Sequence, residues 1–312
     1  TKNIHPSEAP LSSVVMIESL DHEGRGVAHL DGKILFIEGA LPFEKVNYTS
    51  FRVKPSFENA VAVKISNPSF LRTTPKCPYF GICGGCSMQH VDANAQVAVK
   101  QRVLEDNLWH IGKVKAETIL PPLYGQTWGY RHRARISVKS VVKKGCVLVG
   151  FHEKRSSFIA DMQSCAVLPP KISALLPKLR VLVAKLSILD RLPQIELASG
   201  SQVDVLVLRI MDPLTAEDEA HLKQFADAEK VQFWLQTKGP DTATPFYPLD
   251  APQLSYELPE FNISMPYRRT EVTRVNPNLH RIMVQRAIQL LDPQPHERIA
   301  DMFCGLGNFT LP

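Results

Sequence analysis

Three cysteines crowded into one loop are the sequence feature that most constrains this chain. Cys77, Cys83 and Cys86 lie within ten residues, in the spacing Cys-x5-Cys-x2-Cys. Three glycines in the same loop allow tight turns and a close approach of the backbone to the sulfurs. Thiols clustered in this way are typical of a metal site, and a tetrahedral or cubane site then needs a fourth ligand from elsewhere in the chain.

Cys165 is the best candidate for that fourth ligand. Its competitor, Cys146, begins a segment that predicts a strand entered from a turn, where a half-buried thiol is expected. A single Cys-x-x-Cys pair favours an iron–sulfur cluster over a structural zinc site, which usually shows two such pairs. The alternative is a set of free cysteines or a disulfide in a secreted protein. Six cysteines in 312 residues are too few for a disulfide scaffold, and no secretory segment is visible, so a reducing, cytoplasmic setting is expected.

The composition is that of a soluble globular protein with room for two or three domains. Hydrophobic residues make up 44% and charged residues 21% of the chain, and both values are ordinary. No apolar run reaches the roughly 18 residues that a membrane helix needs, so no membrane partner is expected. The net charge of +5 permits an anionic partner such as a nucleic acid without establishing one.

Residues 12–66 predict short strands separated by turns. Asp31-Gly32, between Val27–Leu30 and Ile34–Ile37, is a strong signal for a two-residue hairpin. Two longer strands, Lys45–Val53 and Asn59–Ile65, bring the number to about five. Such a set favours a small β-barrel of OB type, a fold that binds nucleic acid on an exposed basic face. The basic residues of the segment fit ordinary solvated strand exteriors equally well.

The densest basic run lies in the middle of the chain, after Trp128-Gly129-Tyr130. It places Arg131, Arg133 and Arg135 beside aromatic residues at the start of a predicted strand. Arginines next to stacking rings suit a folded RNA, whose phosphates position the protein and whose bases stack. We therefore predict that the three arginines contact RNA. The alternative is that they form the exposed face of one strand.

The rest of the middle region predicts an α+β domain. Asp92 can cap a helix that runs to His110, and Leu175–Leu189 has one apolar face at helical spacing. Thr215 and Asp218 have the spacing of a capping box at the start of another helix. Strands are predicted at Gln202–Ile210 and Val231–Thr237, and a hairpin at Leu254–Tyr267.

The C-terminal residues predict the first turn of a doubly wound nucleotide-binding fold. A helix over Asn278–Leu291 precedes a predicted strand, Arg298–Phe303, which runs into Cys304-Gly305-Leu306-Gly307-Asn308. A Gly-x-Gly loop after a strand lets a ligand approach the backbone. The loop has neither the third glycine of the dinucleotide pattern nor the Gly-Lys-Ser/Thr of a P-loop. Since a domain does not end on its first strand and turn, the sequence is expected to be a fragment.

Together, the cysteine loop, Cys165-Ala166-Val167-Leu168 and the segment from Asp301 to Pro312 resemble the bacterial 23S rRNA (uracil-5-)-methyltransferases. The resemblance is to the branch with a TRAM barrel and a [4Fe-4S] cluster, and it covers nearly the whole chain. It implies a TRAM β-barrel, RNA-binding, over residues 1–70, and a central α+β iron–sulfur domain, also RNA-binding, over residues 71–265. Residues 266–312 are then the N-terminal edge of an α/β Rossmann-like, S-adenosylmethionine-dependent methyltransferase domain.

The resemblance also implies roles for individual residues. The ligands of the [4Fe-4S] cluster are Cys77, Cys83, Cys86 and Cys165. The contacts to S-adenosylmethionine come from Phe303 and Asn308, in a loop that Gly305 and Gly307 shape.

The reaction implied by the resemblance is methylation of C5 of a uridine in 23S rRNA. A cysteine of the family adds to C6 of the uracil, C5 then takes the methyl group, and a base removes the C5 proton. This nucleophile and this base are expected after Pro312, so Cys304 is not the nucleophile and the chain itself is expected to be inactive. The implied partner is 23S rRNA, and a cytoplasmic monomer is expected.

One position departs from the family's pattern. The family usually has Asp-Phe-x-Gln-Val-Asn where this chain has Glu271-Val272-Thr273-Arg274-Val275-Asn276. Arg274 thus replaces a glutamine that helps to bind S-adenosylmethionine. Glutamine both donates and accepts hydrogen bonds, whereas arginine only donates, and a cation near the sulfonium repels it. The departure predicts either a different mode of cofactor binding or a weakened activity.

Two other functions share part of this pattern. A radical S-adenosylmethionine methylthiotransferase also combines a TRAM barrel with iron–sulfur, but its cluster loop is Cys-x3-Cys-x2-Cys, and the five residues between Cys77 and Cys83 argue against it. The second alternative is a non-catalytic RNA-binding module with an iron–sulfur cluster. A Ser-Cys-Asn-Pro-like segment after Pro312 would decide for the enzyme.

Overall fold

The computed structural model describes residues 13–268, 271 and 273–312. The chain divides into two compact units, one ending at Pro122 and the other spanning Leu123–Pro312. Among the described residues, every helix is too short or too polar to cross a lipid bilayer.

One six-stranded sheet forms the centre of the first unit. Its strands are β1 (Val14–Met16), β2 (Ser19–Leu20), β3 (Gly26–Leu30), β4 (Lys33–Glu38), β5 (Lys45–Val53) and β6 (Phe57–Ser66). Their order is β1-β5-β6-β4-β3-β2, and only the β4–β6 pair is parallel. Two residues, Ile17 and Glu18, separate β1 from β2 at the two ends of this order. The continuous segment from β1 to β2 therefore supplies both edge strands of the sheet, and the two edges meet.

The tight turn predicted at Asp31-Gly32 is confirmed. Both residues have positive φ, 51° and 77°, as a type I′ hairpin turn requires. Leu30 pairs with Lys33 across the turn, so β3 and β4 form the expected hairpin. The alternation of buried and exposed residues along β4 places Leu35 and Ile37 in the core, at 1% and 0% exposure.

A buried ion pair ties the end of the sheet to the segment that leads into the cysteine loop. Glu44 is fully buried, and Arg72 donates to its two carboxylate oxygens through Nε and Nη2, each at 2.8 Å. The N–H groups of Ser69 and Leu41 donate to the same carboxylate at 2.9 and 3.0 Å. Burial alone would raise the pKa of Glu44, but the hydrogen bonds and the charge of Arg72 hold that pKa below its ordinary value. Glu44 is therefore a carboxylate at neutral pH, with donors on both oxygens.

The helix predicted after the cysteine loop is confirmed as α1 (Ala93–His110). Asp92 caps it, since its carboxylate accepts from the N–H groups of Asn94 and Ala95 at 2.9 and 3.4 Å. No residue of α1 is buried, and Leu104 is 57% exposed.

The second unit contains a mixed sheet, a separate hairpin and four α-helices among its described residues. The sheet strands are β7 (Arg133–Val141), β8 (Cys146–Gly150), β9 (Gln194–Ser199), β10 (Asp204–Arg209), β11 (Val231–Gln236) and β12 (Thr244–Tyr247), and the hairpin strands are β13 (Ser255–Leu258) and β14 (Ile263–Pro266). The helices are α2 (Pro170–Ser173), α3 (Leu175–Lys185), α4 (Ala216–Glu229) and α5 (Pro277–Leu291), with 3-10 turns at Val142–Lys144, Pro240–Thr242 and Pro259–Phe261.

The sheet order is β12-β11-β10-β9-β7-β8, and only β10 and β11 are parallel, joined through α4. The capping box predicted at the start of α4 is present, with Thr215 and Asp218 each accepting from the other's backbone N–H. The predicted hairpin over Leu254–Tyr267 is β13–β14. The helix predicted to reach Leu189 is shorter, because the backbone becomes extended at Leu186. The sequence did not predict β9 or β12.

The two faces of this sheet differ. One face carries Ile136, Leu206 and Phe233, and all three are buried. Phe225 of α4 packs on this face, with its ring centroid 5.7 Å from that of Phe233, and α3 contacts β8. The other face is divided. Its apolar part includes Val205 and Val207, which pack in a buried cluster with Leu254 and Tyr267, the residues that flank the β13–β14 hairpin.

The strand predicted at Arg298–Phe303 is absent, so this prediction is wrong. The segment is irregular, with a turn at Met302 and Phe303, and α5 is the last regular element of the described chain. A strand is stabilised only where a neighbouring strand takes up its main-chain hydrogen bonds. No described strand pairs with this segment. The Gly-x-Gly loop contacts the rest of the second unit through Asn308, which accepts hydrogen bonds from Tyr256 and His280.

Candidate cofactor and RNA site

A cleft of about 220 Å³ lies in the second unit between the β13–β14 hairpin and the start of α5. Tyr256 of β13, His280 of α5 and Arg274 of the preceding segment line it. His132 and Arg133 line the side that faces the start of β7. Three separate stretches of the chain thus converge on one polar cleft.

His280 is a buried polar group that lines this cleft. It is 4% exposed, and its Nε2 lies 2.9 Å from Oδ1 of Asn308. Burial lowers the pKa of His280; the hydrogen bond to Asn308 opposes this shift, and the charge of Arg274 adds to it. His280 is therefore neutral at pH 7, and Nε2–H donates to Asn308. Its Nδ1 is buried and has no hydrogen-bond partner among the described residues, so it can accept a hydrogen bond from a ligand.

The structure brings together two of the five residues predicted to hold the cofactor. Arg274 lines the cleft, and Asn308 accepts hydrogen bonds from two side chains that line it, those of His280 and Tyr256. Phe303 is fully exposed. Gly305 and Gly307 have φ of 58° and 86°, a conformation that favours glycine, as a turn of the loop requires.

The charge of Arg274 makes a prediction about His280. Arg274→Gln should raise the pKa of His280, because a cation nearby disfavours the imidazolium form. The pKa should stay below its ordinary value, since burial remains. An NMR titration of the histidine ring protons measures this shift. Arg281→Gln is the matched control, because Arg281 lines the same cleft but pairs with Glu260. A His280 pKa that does not move in Arg274→Gln would contradict the proximity of the two side chains.

The three arginines predicted to contact RNA have different surroundings. Arg133 forms an ion pair with Glu196, Nη2 to Oε1 at 3.0 Å, and its Nη1 donates to the carbonyl of Glu271 at 2.7 Å. The Nε of Arg131 is buried without a hydrogen-bond partner among the described residues. Arg135 is exposed on the open face of the sheet. Contact with RNA stays a prediction for all three, and Arg135 is the one whose side chain faces solvent.

The cysteine loop contains a backbone hydrogen bond to one of its thiols. Successive turns carry the loop, and the N–H of Gly85 donates to Sγ of Cys83 at 3.4 Å, the kind of bond that tunes ligated sulfurs. Cys77 and Cys86 are half-buried, and Cys83 is buried. Cys165 belongs to the second unit and is 7% exposed. Across the described residues, no three Cys, His, Asp or Glu side chains stand in the geometry of a metal site. The cluster therefore stays a prediction from the spacing and chemistry of the thiols.

Cys146 has a different environment. It begins β8, as predicted, and is half-buried. Nη2 of Arg180 donates to its sulfur at 3.8 Å, and the same guanidinium donates from Nε to the carbonyl of Val147 at 2.9 Å. The thiol is thus held in the β8–α3 packing.

Comparison with known proteins gives close relatives. The chain is 65% identical over 302 residues to the 23S rRNA (uracil(1939)-C(5))-methyltransferase RlmD of Nitrosospira multiformis, which covers 97% of the chain and 69% of that protein. It is 60% identical over 315 aligned positions to the protein of the same name from Burkholderia ambifaria, covering 99% of the chain and 67% of the relative. No protein-family model matches the chain.

A solved structure has the same fold. The tRNA (uracil-54, C5)-methyltransferase of Pyrococcus abyssi, in complex with S-adenosyl-L-homocysteine, matches with a TM-score of 0.66 over 95% of the chain and 69% of that protein. The sequence identity is 17%, so this likeness concerns the fold alone.

These findings assign the chain to a class of enzyme, the RNA uracil-C5 methyltransferases. Within that class, the chain belongs to the RlmD family of 23S rRNA methyltransferases. It spans about two-thirds of the length of the Nitrosospira and Burkholderia relatives.

Proposed function

We propose that the protein transfers a methyl group from S-adenosylmethionine to C5 of a uridine in 23S rRNA. The observation that carries the proposal is the 65% identity, over 97% of the chain, to the 23S rRNA (uracil(1939)-C(5))-methyltransferase RlmD of Nitrosospira multiformis. The same comparison disfavours the methylthiotransferase alternative, as does the cysteine spacing. The nucleophilic cysteine and the base are assigned, as the resemblance implies, to positions after Pro312.

The cleft at His280 is proposed as part of the cofactor site. S-adenosylmethionine, when bound, supplies an electrophilic methyl group on a sulfonium. The described residues suit such a ligand: His280 offers an acceptor at Nδ1, and Asn308 offers an amide. Among the described residues, only the chain neighbours of Gly305 have heavy atoms within 4 Å of its Cβ position, so a ligand can approach the backbone there. Arg274 suits the carboxylate end of the cofactor, since a cation is unfavourable beside the sulfonium.

The finer assignments are also proposals. Cys77, Cys83, Cys86 and Cys165 would hold a [4Fe-4S] cluster, for which the N–H to sulfur bond at Cys83 is the supporting contact. The sheet of residues 14–66 is proposed to be a TRAM barrel that binds RNA, supported by its meeting edges and by the parallel β4–β6 pair. The division into three domains, with boundaries at residues 70 and 265, is likewise a proposal.

Methyl transfer by the full-length protein tests the function. Incubated with unmodified 23S rRNA and methyl-labelled S-adenosylmethionine, it should place the label in 5-methyluridine, identified after complete nuclease digestion. RNA carrying 5-fluorouridine at the target should be trapped covalently. The cysteine adds to C6 and the methyl group to C5, but the C5 fluorine cannot leave as a proton, so the C6–sulfur bond is not released.

One control and two contrary outcomes make the test decisive. Fully modified rRNA should accept no label, because its target C5 already carries a methyl group. Label recovered in a nucleotide other than 5-methyluridine would contradict the proposal. Tight RNA binding with no label at all would instead support the non-catalytic RNA-binding module.

A further inference from the structure

An open groove lies on the face of the second unit's sheet that α3 and α4 leave uncovered. Its volume is about 560 Å³, within the range of pockets that hold drug-sized molecules. Among the described residues, the groove and the cleft at His280 share no lining residue. It is therefore a second candidate site in the same unit.

The floor of the groove is a polar row that crosses four strands. The strand register aligns Ser137 of β7, Gln194 of β9, Arg209 of β10 and Gln236 of β11. Two residues from Arg209, on the same face of the sheet, Val207 belongs to the buried apolar cluster that also contains Val205. Side chains of one face recur every second residue, so the face changes from apolar to polar within a single pleat.

Three cationic side chains line the groove, and one of them, Arg209, belongs to this row. Arg135, Lys139 and Arg209 line the groove, and none of them forms an ion pair with a carboxylate of the described chain. The groove's one lining carboxylate, Glu196, is 7% exposed and pairs with Arg133. Arg209 lies two strands from β7, about 10 Å at the usual strand spacing. Arg135 and Lys139 lie four residues apart on β7, about 13 Å. These backbone separations spread the three cations along and across the strands, an arrangement that suits an anion with repeated charges.

The groove also has groups fixed for hydrogen bonding. His152 Nδ1 donates to the carbonyl of Ser157 at 3.2 Å, which leaves Nε2 to accept from the Ser137 hydroxyl at 3.0 Å. The wall at His152 is therefore ordered without a ligand. Gln194 adds an amide to the floor, which can both donate and accept.

We propose that this groove binds a single-stranded segment of the RNA substrate. The proposal rests on the proposed function, from which it takes 23S rRNA as the substrate. Arg135, Lys139 and Arg209 would contact phosphates, and the Gln194 amide would face a base. Phosphate contacts position a protein on RNA, and unpaired bases expose the edges that an amide can bind. The volume of the groove fits nucleotide-sized groups rather than a duplex.

Neutralising the three cations tests the groove. In the full-length protein, Arg135→Gln, Lys139→Gln and Arg209→Gln together should weaken binding to a single-stranded 23S rRNA oligonucleotide on the order of tenfold at low salt. The log–log salt slope should fall by about 2, since each single-strand phosphate contact contributes about 0.7. The matched control replaces Lys178, Lys185 and Lys223 by glutamine, on the helices that cover the opposite face. This control loses the same net charge and should bind like the wild type. The variant Arg135→Lys with Arg209→Lys keeps the charges and should keep the slope.

The outcomes separate the groove from the function. Equal losses in the groove triple and the helix triple would overturn the site, because net charge alone would then explain binding. An unchanged slope in a groove triple whose thermal unfolding matches the wild type would overturn it as well. A duplex oligonucleotide that binds as well as the single strand, with the same loss in the triple, would contradict the single-stranded substrate. Wild-type methyl transfer, measured in the same preparation, tests the proposed function independently of all three results.

Discussion

Cys165→Ser in the full-length protein should abolish iron binding, whereas Cys146→Ser should leave the iron content of the wild type unchanged. Anaerobically purified wild-type protein should be brown and carry the four irons and four sulfides of one [4Fe-4S] cluster. A serine hydroxyl at position 165 is a poor substitute for a thiolate ligand, so the cluster should be lost rather than altered. Iron and sulfide analysis, normalised to protein, gives the result directly.

The control at Cys146 is matched in chemistry and differs in surroundings. Both variants exchange one sulfur for one oxygen, and both thiols are at least half-buried. Cys146 accepts a hydrogen bond from Arg180 within the β8–α3 packing, so its loss should cost some stability and no iron. Thermal unfolding of both variants separates a loss of cluster from a loss of fold. Iron retained in Cys165→Ser, or wild-type protein that carries only zinc, would refute the ligand set.

Local sequence signals predicted the regular elements well where one short pattern determines the local backbone conformation. Asp31-Gly32 gave its hairpin because only a few residue pairs adopt two successive positive φ angles. Thr215 and Asp218 gave the start of α4 because a capping box satisfies two backbone donors locally. These signals act within four residues, so no knowledge of the tertiary structure was needed.

The errors arose where contacts between separate segments of the chain determine the secondary structure. The segment Arg298–Phe303 has the composition of a strand, but a strand depends on a neighbour, and no described strand pairs with it. β9 was missed although its partner β10 follows after four residues, at residues 200–203. Its other partner, β7, ends at Val141, far earlier in the sequence. Pairing of this kind cannot be deduced from the composition of one segment.

The candidate cleft shows the same limit at the level of side chains. Asn308 and Arg274 were predicted from the resemblance, whereas His280 and Tyr256 were not. The available signal for His280 was a histidine on the apolar face of an amphipathic helix, which is more often a core residue than a ligand. What distinguishes it is the buried Nδ1 and the contact with Asn308, 28 residues away. Likewise, the exposure of Arg135 and the ion pair of Arg133 depend on the register of β7 with β9.

Arg72→Ala should destabilise the first unit by about 3–5 kcal/mol, because it leaves the fully buried carboxylate of Glu44 without its cation. Two backbone donors, the N–H groups of Leu41 and Ser69, would remain, and they do not neutralise the charge. The free energy of opening, measured by amide hydrogen exchange of β5 in the whole protein, reports on this unit separately from the second. Arg102→Ala is the matched control in the same unit. Its ion pair with Asp106 is exposed, with the arginine 78% accessible, so its loss should cost less than about 1 kcal/mol.

The pH dependence distinguishes a buried charge from lost packing. Glu44 has a lowered pKa in the folded wild type, so its contribution is present above its unfolded pKa, about 4.3, and is lost as the pH falls through the folded value. In Arg72→Ala, burial is no longer opposed by a cation, and the pKa of Glu44 should rise above that of the unfolded chain. Protonation then relieves the buried charge in the variant at a pH where the wild type is still ionised. The stability gap should therefore narrow from neutral towards acid pH. A gap that stays constant down to about pH 4 would assign the loss to the packing of the Arg72 side chain instead. The double variant Glu44→Leu with Arg72→Met should recover much of the loss at neutral pH, because it removes both charges from the interior together.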